Sequence, residues 1–333
     1  MSGELVFITG AAGFLGANVV LEALKAGYRV RGSVRREAQV QRLQEYLGTK
    51  FGSKAEFVVV PDITKPDAYD GLLHDVTYVF HVASPVVAQS HNWKEDHIEP
   101  AVLGTTTMLA AAKKVSGIKK VIITGSIADL IPWTDWPAPE EAITEDHKYE
   151  LDVSPDLDFK VPFAAYRASK LLAAKASREF FAQQKLHYSI VSLHPTFIFG
   201  RNLLQKSIED VSGTPAMFWG SLKGPDQLIP IRNSVHVTDV AQAHVKALRP
   251  DIAGYEKFIV SAPCFDDWAE VVEFVKKRYP EEEWGNAPDP PAKRNIDTSK
   301  AEKALGIVWK DWKQQVIDVV DQQLELKKKG VSS

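Results

Sequence analysis

Apolar residues fall into short, near-continuous runs through the first two-thirds of the chain, each followed by a stretch with helical spacing. Leu5 to Thr9 is the first run and ends in Gly10. Phe14 to Ala26 then reads as a helix, with Gly27 placed to end it. Arg29 to Val34 predicts a second strand and Glu37 to Leu47 a second helix. Phe57 to Val60, closed by Pro61, and Tyr78 to Val82 predict strands three and four. A long Ala/Thr/Leu helix follows over Ile98 to Val115, then a strand over Val121 to Thr124. An Ala- and Leu-rich helix beginning near Pro162 precedes a sixth strand, Ser189 to Leu193. Apolar strands that alternate with helices indicate a doubly wound parallel sheet, α/β, covered on both faces.

The pattern then loosens. Phe199 to Pro230 mixes Gly and Pro with bulky apolar residues and predicts no regular element. Helices are expected over Val235 to Leu248, Asp267 to Arg278, Ser299 to Leu305 and Trp312 to Lys328, with a late strand at Lys257 to Val260. This order predicts a nucleotide-binding core, 1–198 plus about 231–262, and a smaller interleaved substrate lobe, 199–230 and 263–333.

Composition narrows the function. The 333 residues are 45% hydrophobic and 25% charged, a globular mixture. The net charge of −3 and the lack of a basic run give no reason to expect nucleic acid or a membrane surface as partner. Lys327, Lys328 and Lys329 read as a solvated helix end. A single cysteine, Cys264, leaves no intrachain disulfide and no cysteine-built zinc site. The histidines show no metal-ligand spacing, and His81 and His194 at strand ends read as structural, so no metal is expected. With no signal-peptide pattern and no run of the about 20 apolar residues that span a bilayer, the expected compartment is the cytoplasm.

The first strand and first helix are joined by Gly10-Ala11-Ala12-Gly13-Phe14-Leu15-Gly16. Glycines in such a turn let backbone amides at a helix start approach a pyrophosphate. After the second strand a fold that uses NAD places an acid for the ribose hydroxyls. Here Arg31-Gly32-Ser33-Val34-Arg35-Arg36 has none. Arginine forks match a 2′-phosphate, so Arg35 with Ser33, and Arg36 or Arg42 as further candidates, points to NADPH/NADP+.

Tyr166 and Lys170 lie four residues apart, one above the other on a helix. An ammonium beside a phenol favours the phenolate and lowers a pKa that starts near about 10. Such a tyrosine can exchange a proton with a substrate oxygen. Val121-Ile122-Ile123-Thr124-Gly125-Ser126 ends a central strand, where residues face the ligand crevice. Ser126 can there donate a hydrogen bond to a substrate carbonyl.

With the glycine turn, Asp62-Ile63, His81-Val82-Ala83-Ser84, Ser126, Tyr166-x-x-x-Lys170 and His194-Pro195-Thr196, the chain resembles the extended short-chain dehydrogenase/reductases over nearly its full length. Val237-x-Asp239-Val240-Ala241 and Asp297-Thr298-Ser299-Lys300-Ala301 resemble late signatures of that family. Val30-Arg31-Gly32-Ser33-Val34-Arg35 and Ala83-Ser84-Pro85 are most similar to its dihydroflavonol-reductase branch, which includes yeast and fungal NADPH-dependent aldehyde and ketone reductases. The resemblance implies a Rossmann-type core, Tyr166 as general acid, Lys170 on the nicotinamide ribose and Ser126 orienting a carbonyl. It further implies cofactor contacts from Phe14, Leu15, Asp62, Ile63, Val82, Ala83, Ser84 and Thr124, and from Pro195 to Ile198 beside the nicotinamide. Two departures stand out. Gly125 replaces the first of two serines, and Leu103 stands before Gly104 where many members carry Asn.

Ile131 to Val161 is too long for a plain connection and carries Trp133 and Trp136. Met217, Phe218 and Trp219 lie between Gly213 and Gly224. With Pro85 and Ile127, the aromatics Trp133, Phe218 and Trp219 are candidates for an apolar substrate pocket. The expected reaction is NADPH-dependent reduction of an apolar or aromatic aldehyde or ketone by a monomer or homodimer. The alternatives are an NAD-dependent epimerase or dehydratase of the same fold and a non-catalytic dinucleotide sensor.

Overall fold

The structure is a computed structural model that describes residues 3–48, 50–84, 92–131, 142–146, 162–224, 232–285 and 294–331. Its strands are β1 (Leu5–Thr9), β2 (Arg29–Val34), β3 (Ala55–Val59), β4 (Tyr78–His81), β5 (Lys120–Thr124), β6 (Ser189–Pro195), β7 (Phe197–Phe199), β8 (Ser234–His236) and β9 (Tyr255–Val260). Its helices are α1 (Phe14–Lys25), α2 (Glu37–Leu47), α3 (Glu99–Lys113), α4 (Pro162–Gln183), α5 (Gly213–Lys223), α6 (Val237–Lys246), α7 (Trp268–Arg278), α8 (Ser299–Leu305) and α9 (Trp312–Val331).

Seven strands form one sheet in the order β3-β2-β1-β4-β5-β6-β9, and every pair is parallel. This is the expected α/β Rossmann-type architecture. The alternation along β1 shows why the strands read as continuous apolar runs. Val6 and Ile8 enter the core shared with α1, α2 and α6, whereas Leu5 and Phe7 enter the core shared with α3. Successive side chains point to opposite faces, and here both faces are covered.

Strand order reverses between β1 and β4, so a crevice opens at their carboxyl ends. The turn after β1, the loop after β4 and the segments after β5 and β6 all meet there.

The latter part differs most from expectation. Residues 213–223 form α5 rather than a loop. Its buried Pro215, Phe218, Ser221 and Leu222 follow helical spacing, which Gly213, Gly220 and Gly224 obscure in the sequence. The helix expected from Val235 is split into β8 and α6, because Ser234–His236 pairs with Phe197–Phe199. Three-residue strands are too short to show a period. The long central helix begins at Glu99 after a π-helical turn, Lys94–Ile98. α5, α7 and α9 enclose an aromatic cluster with Phe199, Phe218, Phe265 and Trp268. No described helix is long and apolar enough to cross a membrane, and no described group of His, Cys, Asp and Glu could hold a metal ion.

Candidate active site

The glycine turn is built for close backbone approach. Gly10 has φ +69°, in the left-handed region that favours glycine. A Cβ at Gly16 would stand 2.0 Å from the Gly10 carbonyl oxygen, so no larger residue fits without opening the turn. The amide of Gly13 donates to that same oxygen at 2.9 Å. Gly13 caps α1 and no side chain satisfies the first amides, those of Phe14 and its successors. Uncapped amides at a helix N-terminus suit an anion. The cradle therefore fits a dinucleotide pyrophosphate. The Leu15 side chain packs in the core, which leaves its backbone amide as the group it can offer.

Thr9 locks the neighbouring loop. The amides of Val82 and Ala83 both donate to Thr9 Oγ1, at 3.1 and 3.0 Å. With both lone pairs taken, the Thr9 hydroxyl donates to His81 Nδ1, 3.1 Å away. Burial pushes the His81 imidazole down to about 4, and the charge of Lys170 adds to the shift. His81 is thus a neutral acceptor near neutral pH.

At the end of β2 the arginines separate by role. Arg31 is held by Glu56 at 2.6 Å and Asp75 at 2.7 Å. Arg42 donates to the Leu204 carbonyl at 2.6 Å. Arg35 and Arg36 are exposed, and Gln39 Oε1 accepts both of their backbone amides at 3.0 Å. Ser33 is buried, and its carbonyl accepts the Ala11 amide at 3.0 Å. Of the expected 2′-phosphate group, Arg35 and Arg36 remain available and Arg42 does not. Asp62 is exposed, its carboxyl held below the usual range by the hydroxyl and amide of Thr64.

The three candidate catalytic residues converge from β5 and α4. Tyr166 Oη donates to Ser126 Oγ at 3.4 Å. Lys170 Nζ lies 5.9 Å from the Tyr166 ring centroid and donates to the Thr124 carbonyl at 3.4 Å. Lys170 is only 9% exposed. On the far side of Thr124, its hydroxyl and His244 Nε2 are 2.8 Å apart. His244 Nδ1 lies 2.8 Å from the Val240 carbonyl, which can only accept. Nδ1 therefore carries the hydrogen, and Nε2 accepts from Thr124. Burial pushes His244 down to about 4, so it too stays neutral. Lys170 is the charge that His81 feels. A cleft of ≈ 30 Å³ beside it is lined by Ala83, Ser84, Thr124, Gly125 and Ile63, among others.

The sequence matches the NAD dependent epimerase/dehydratase family over residues 6–260. The chain belongs to this family, the extended short-chain dehydrogenase/reductases. Among curated relatives, ketoreductase sphI of Aspergillus fumigatus is 38% identical over 98% of this chain and 99% of its own length. NADPH-dependent methylglyoxal reductase Gre2 of Saccharomyces cerevisiae is 27% identical over 96% of this chain and 98% of its own. The crystal structure of yeast methylglyoxal/isovaleraldehyde reductase Gre2 complexed with NADPH superposes with a TM-score of 0.84 at 25% identity. It covers 97% of this chain and 99% of that one.

The apolar-pocket residues fare differently from the family motifs. Phe218 is 1% exposed and sealed in the aromatic cluster, so it offers no surface to a substrate. Ile127 is buried against Leu130, Ile131, Ile143 and Ile259. Trp219 packs edge-on to Trp284, with Lys223 over both rings. Phe218 and Ile127 are buried packing residues, whereas Trp219 is half-buried. Pro85, Trp133 and Trp136 lie outside the described residues. Val82 and Ile198 pack against the sheet core, and Pro195 is buried at the end of β6. Leu103, in place of the family's Asn, is 47% exposed. Sequence reasoning missed Thr9 and His244, whose partners are 72 and 120 residues away, and Gln39 and Asp129, whose partners are three or four residues away but whose roles rest on side-chain direction.

Proposed function

We propose that this oxidoreductase of the extended short-chain dehydrogenase/reductase family reduces an aldehyde or ketone to an alcohol with NADPH. The observation that carries the reading is the contact of Tyr166 Oη with Ser126 Oγ, with Lys170 beside the same ring. The family and the names of its reductase relatives support it. The glycine cradle, Arg35 and Arg36 would hold the cofactor, with Ala83, Ser84 and Thr124 along it. When bound, NADPH supplies a hydride to the carbonyl carbon.

The protein's own groups act on the carbonyl oxygen. Ser126 Oγ accepts from the Ala128 amide at 3.2 Å and from Tyr166. A hydroxyl has two acceptor sites and one hydrogen. With both sites filled, the Ser126 hydrogen is free to point at a substrate oxygen and polarise it. When a carbonyl is bound, the single Tyr166 hydrogen turns from Ser126 Oγ to the carbonyl oxygen and is given to it as negative charge develops, while the Ala128 amide still holds Ser126 Oγ. The Lys170 ammonium stabilises the charge left on the phenol oxygen. The segment after β6 and the C-terminal lobe would hold the rest of the substrate.

Tyr166→Phe should keep NADPH binding and lose about a thousandfold or more in ketone turnover, in line with loss of a general acid and its hydrogen bond. Absorbance of the reduced nicotinamide over a ketone panel reads this directly. Binding without consumption by the wild type would leave a dinucleotide sensor. Turnover of nucleotide-sugars with retained NAD would leave an epimerase. Arg35→Glu should weaken NADPH by about tenfold or more while sparing NADH, because a charge-assisted contact to the 2′-phosphate becomes repulsive. Unchanged NADPH use would remove Arg35 from that role.

A further inference from the structure

A buried carboxylate lies directly beneath Ser126, and proton transfer by Tyr166 gives it no task. Asp129 and His194 are each 1% exposed. Asp129 Oδ2 accepts the Ser126 backbone N–H at 3.3 Å. His194 Nδ1 donates to the Ser126 carbonyl at 3.3 Å and lies 2.8 Å from Asp129 Oδ1. That carboxylate oxygen has no hydrogen bond in line. Both main-chain polar groups of Ser126 are thus held by one buried pair. Its side chain in turn caps the short 3-10 turn Ile127–Asp129 through the Ala128 amide. The whole residue is clamped, with its hydroxyl hydrogen the only group left free.

Gly125 gives the clamp room. A Cβ there would stand 3.1 Å from Asp129 Oδ2, from the Leu193 carbonyl and from Ser192 Oγ. The serine that the family's branch often carries at this position would press on the carboxylate. Glycine at 125 and aspartate at 129 are therefore complementary choices. A buried, incompletely bonded carboxylate is costly, and an apolar residue at 129 would lack the acceptor for the Ser126 amide.

We propose that Asp129, given room by Gly125 and braced by His194, is a positioning residue that aims the Ser126 hydroxyl at the substrate carbonyl oxygen. The proposal rests on the reading that Ser126 polarises that oxygen.

A double-mutant cycle tests it. Asp129→Ala and Ser126→Ala are made singly and together. Each is measured for NADPH-dependent ketone turnover and for NADPH affinity by fluorescence titration. Asp129→Ala should lower kcat about tenfold, since sub-ångström misplacement of an oxyanion donor weakens it. In the Ser126→Ala background the same change should cost less than about twofold, because nothing remains to be aimed. Asp129→Asn, which keeps an acceptor for the amide, should recover most of the lost kcat. NADPH affinity should be equal in all variants. Losses that multiply in the double variant, or a fall in NADPH affinity with Asp129→Ala or Asp129→Asn, would mean general support of the fold and overturn the proposal. Impaired Ser126→Ala with fully active Asp129→Ala overturns the positioning role alone. Fully active Ser126→Ala overturns the reading of Ser126 as well.

Discussion

The cofactor end of the sheet and the C-terminal aromatic cluster fill space in opposite ways. Around β1 and β2 the residues are small, and backbone meets backbone: Gly10 nearly touches Ala83, and Gly16 sits against the Gly10 carbonyl. Around α5, α7 and α9 rings fill the space, with Phe199 and Phe218 centroids 4.8 Å apart and Phe265 5.7 Å from Trp268. The first arrangement leaves amides free for a ligand. The second contributes mainly apolar burial. The contrast teaches where to look for cofactor chemistry in this chain: at the glycines and clamped hydroxyls, not at buried rings such as Phe218.

Three experiments break or sharpen that contrast. Phe218→Ala should cost about 3–5 kcal/mol of stability, as for other fully buried rings, yet leave NADPH affinity of the folded protein unchanged. Denaturant midpoint and fluorescence titration read the two separately, and a large change in affinity would tie the cluster to the cofactor. Gly16→Ala should do the reverse. Its Cβ must displace the Gly10 carbonyl, and NADPH affinity should fall about a hundredfold through loss of the amide cradle, with a smaller loss of stability. Native affinity in that variant would show that the turn tolerates opening.

The third is a pH effect of smaller size per residue. His81 and His244 are pushed down to about 4 by burial, from an ordinary value of 6.5. Between those values the unfolded chain binds more protons than the native one, so stability rises with pH and is complete above 6.5. On acidification from pH 6.5 to 5 each should cost about 2 kcal/mol. Both side chains sit beneath the proposed site, whereas His236 in the C-terminal part is paired with Asp318 at 2.8 Å. Acid should therefore loosen the cofactor end first. Hydrogen exchange that opens α7 and α9 before β4 and α6 would contradict this.

Legibility followed the same divide. β1, β2, α2 and α8 have the bounds that apolar spacing indicates, since each is long enough to show a period or is bounded by Gly or Pro. Gly10, Gly13, Gly16, Ser126, Tyr166 and Lys170 were readable because their spacing is local or their order along the chain is informative. Helix α5 was not, because three glycines masked its spacing. The burial of Phe218 was not readable either, because a sequence does not say whether a ring faces a ligand or another ring.

The amino-acid pattern by itself determined the parallel sheet, the glycine turn and the pairing of Tyr166 with Lys170, all of which depend on short-range periodicity and steric rules. Only the tertiary structure decided that Arg42 is occupied at Leu204, that His244 reaches Thr124 and that Asp129 and His194 clamp Ser126. Each of those contacts joins segments 65 to 162 residues apart or turns on which neighbour takes a side chain. Burial and hydrogen-bond geometry assign them, and neither is encoded in the spacing of one segment.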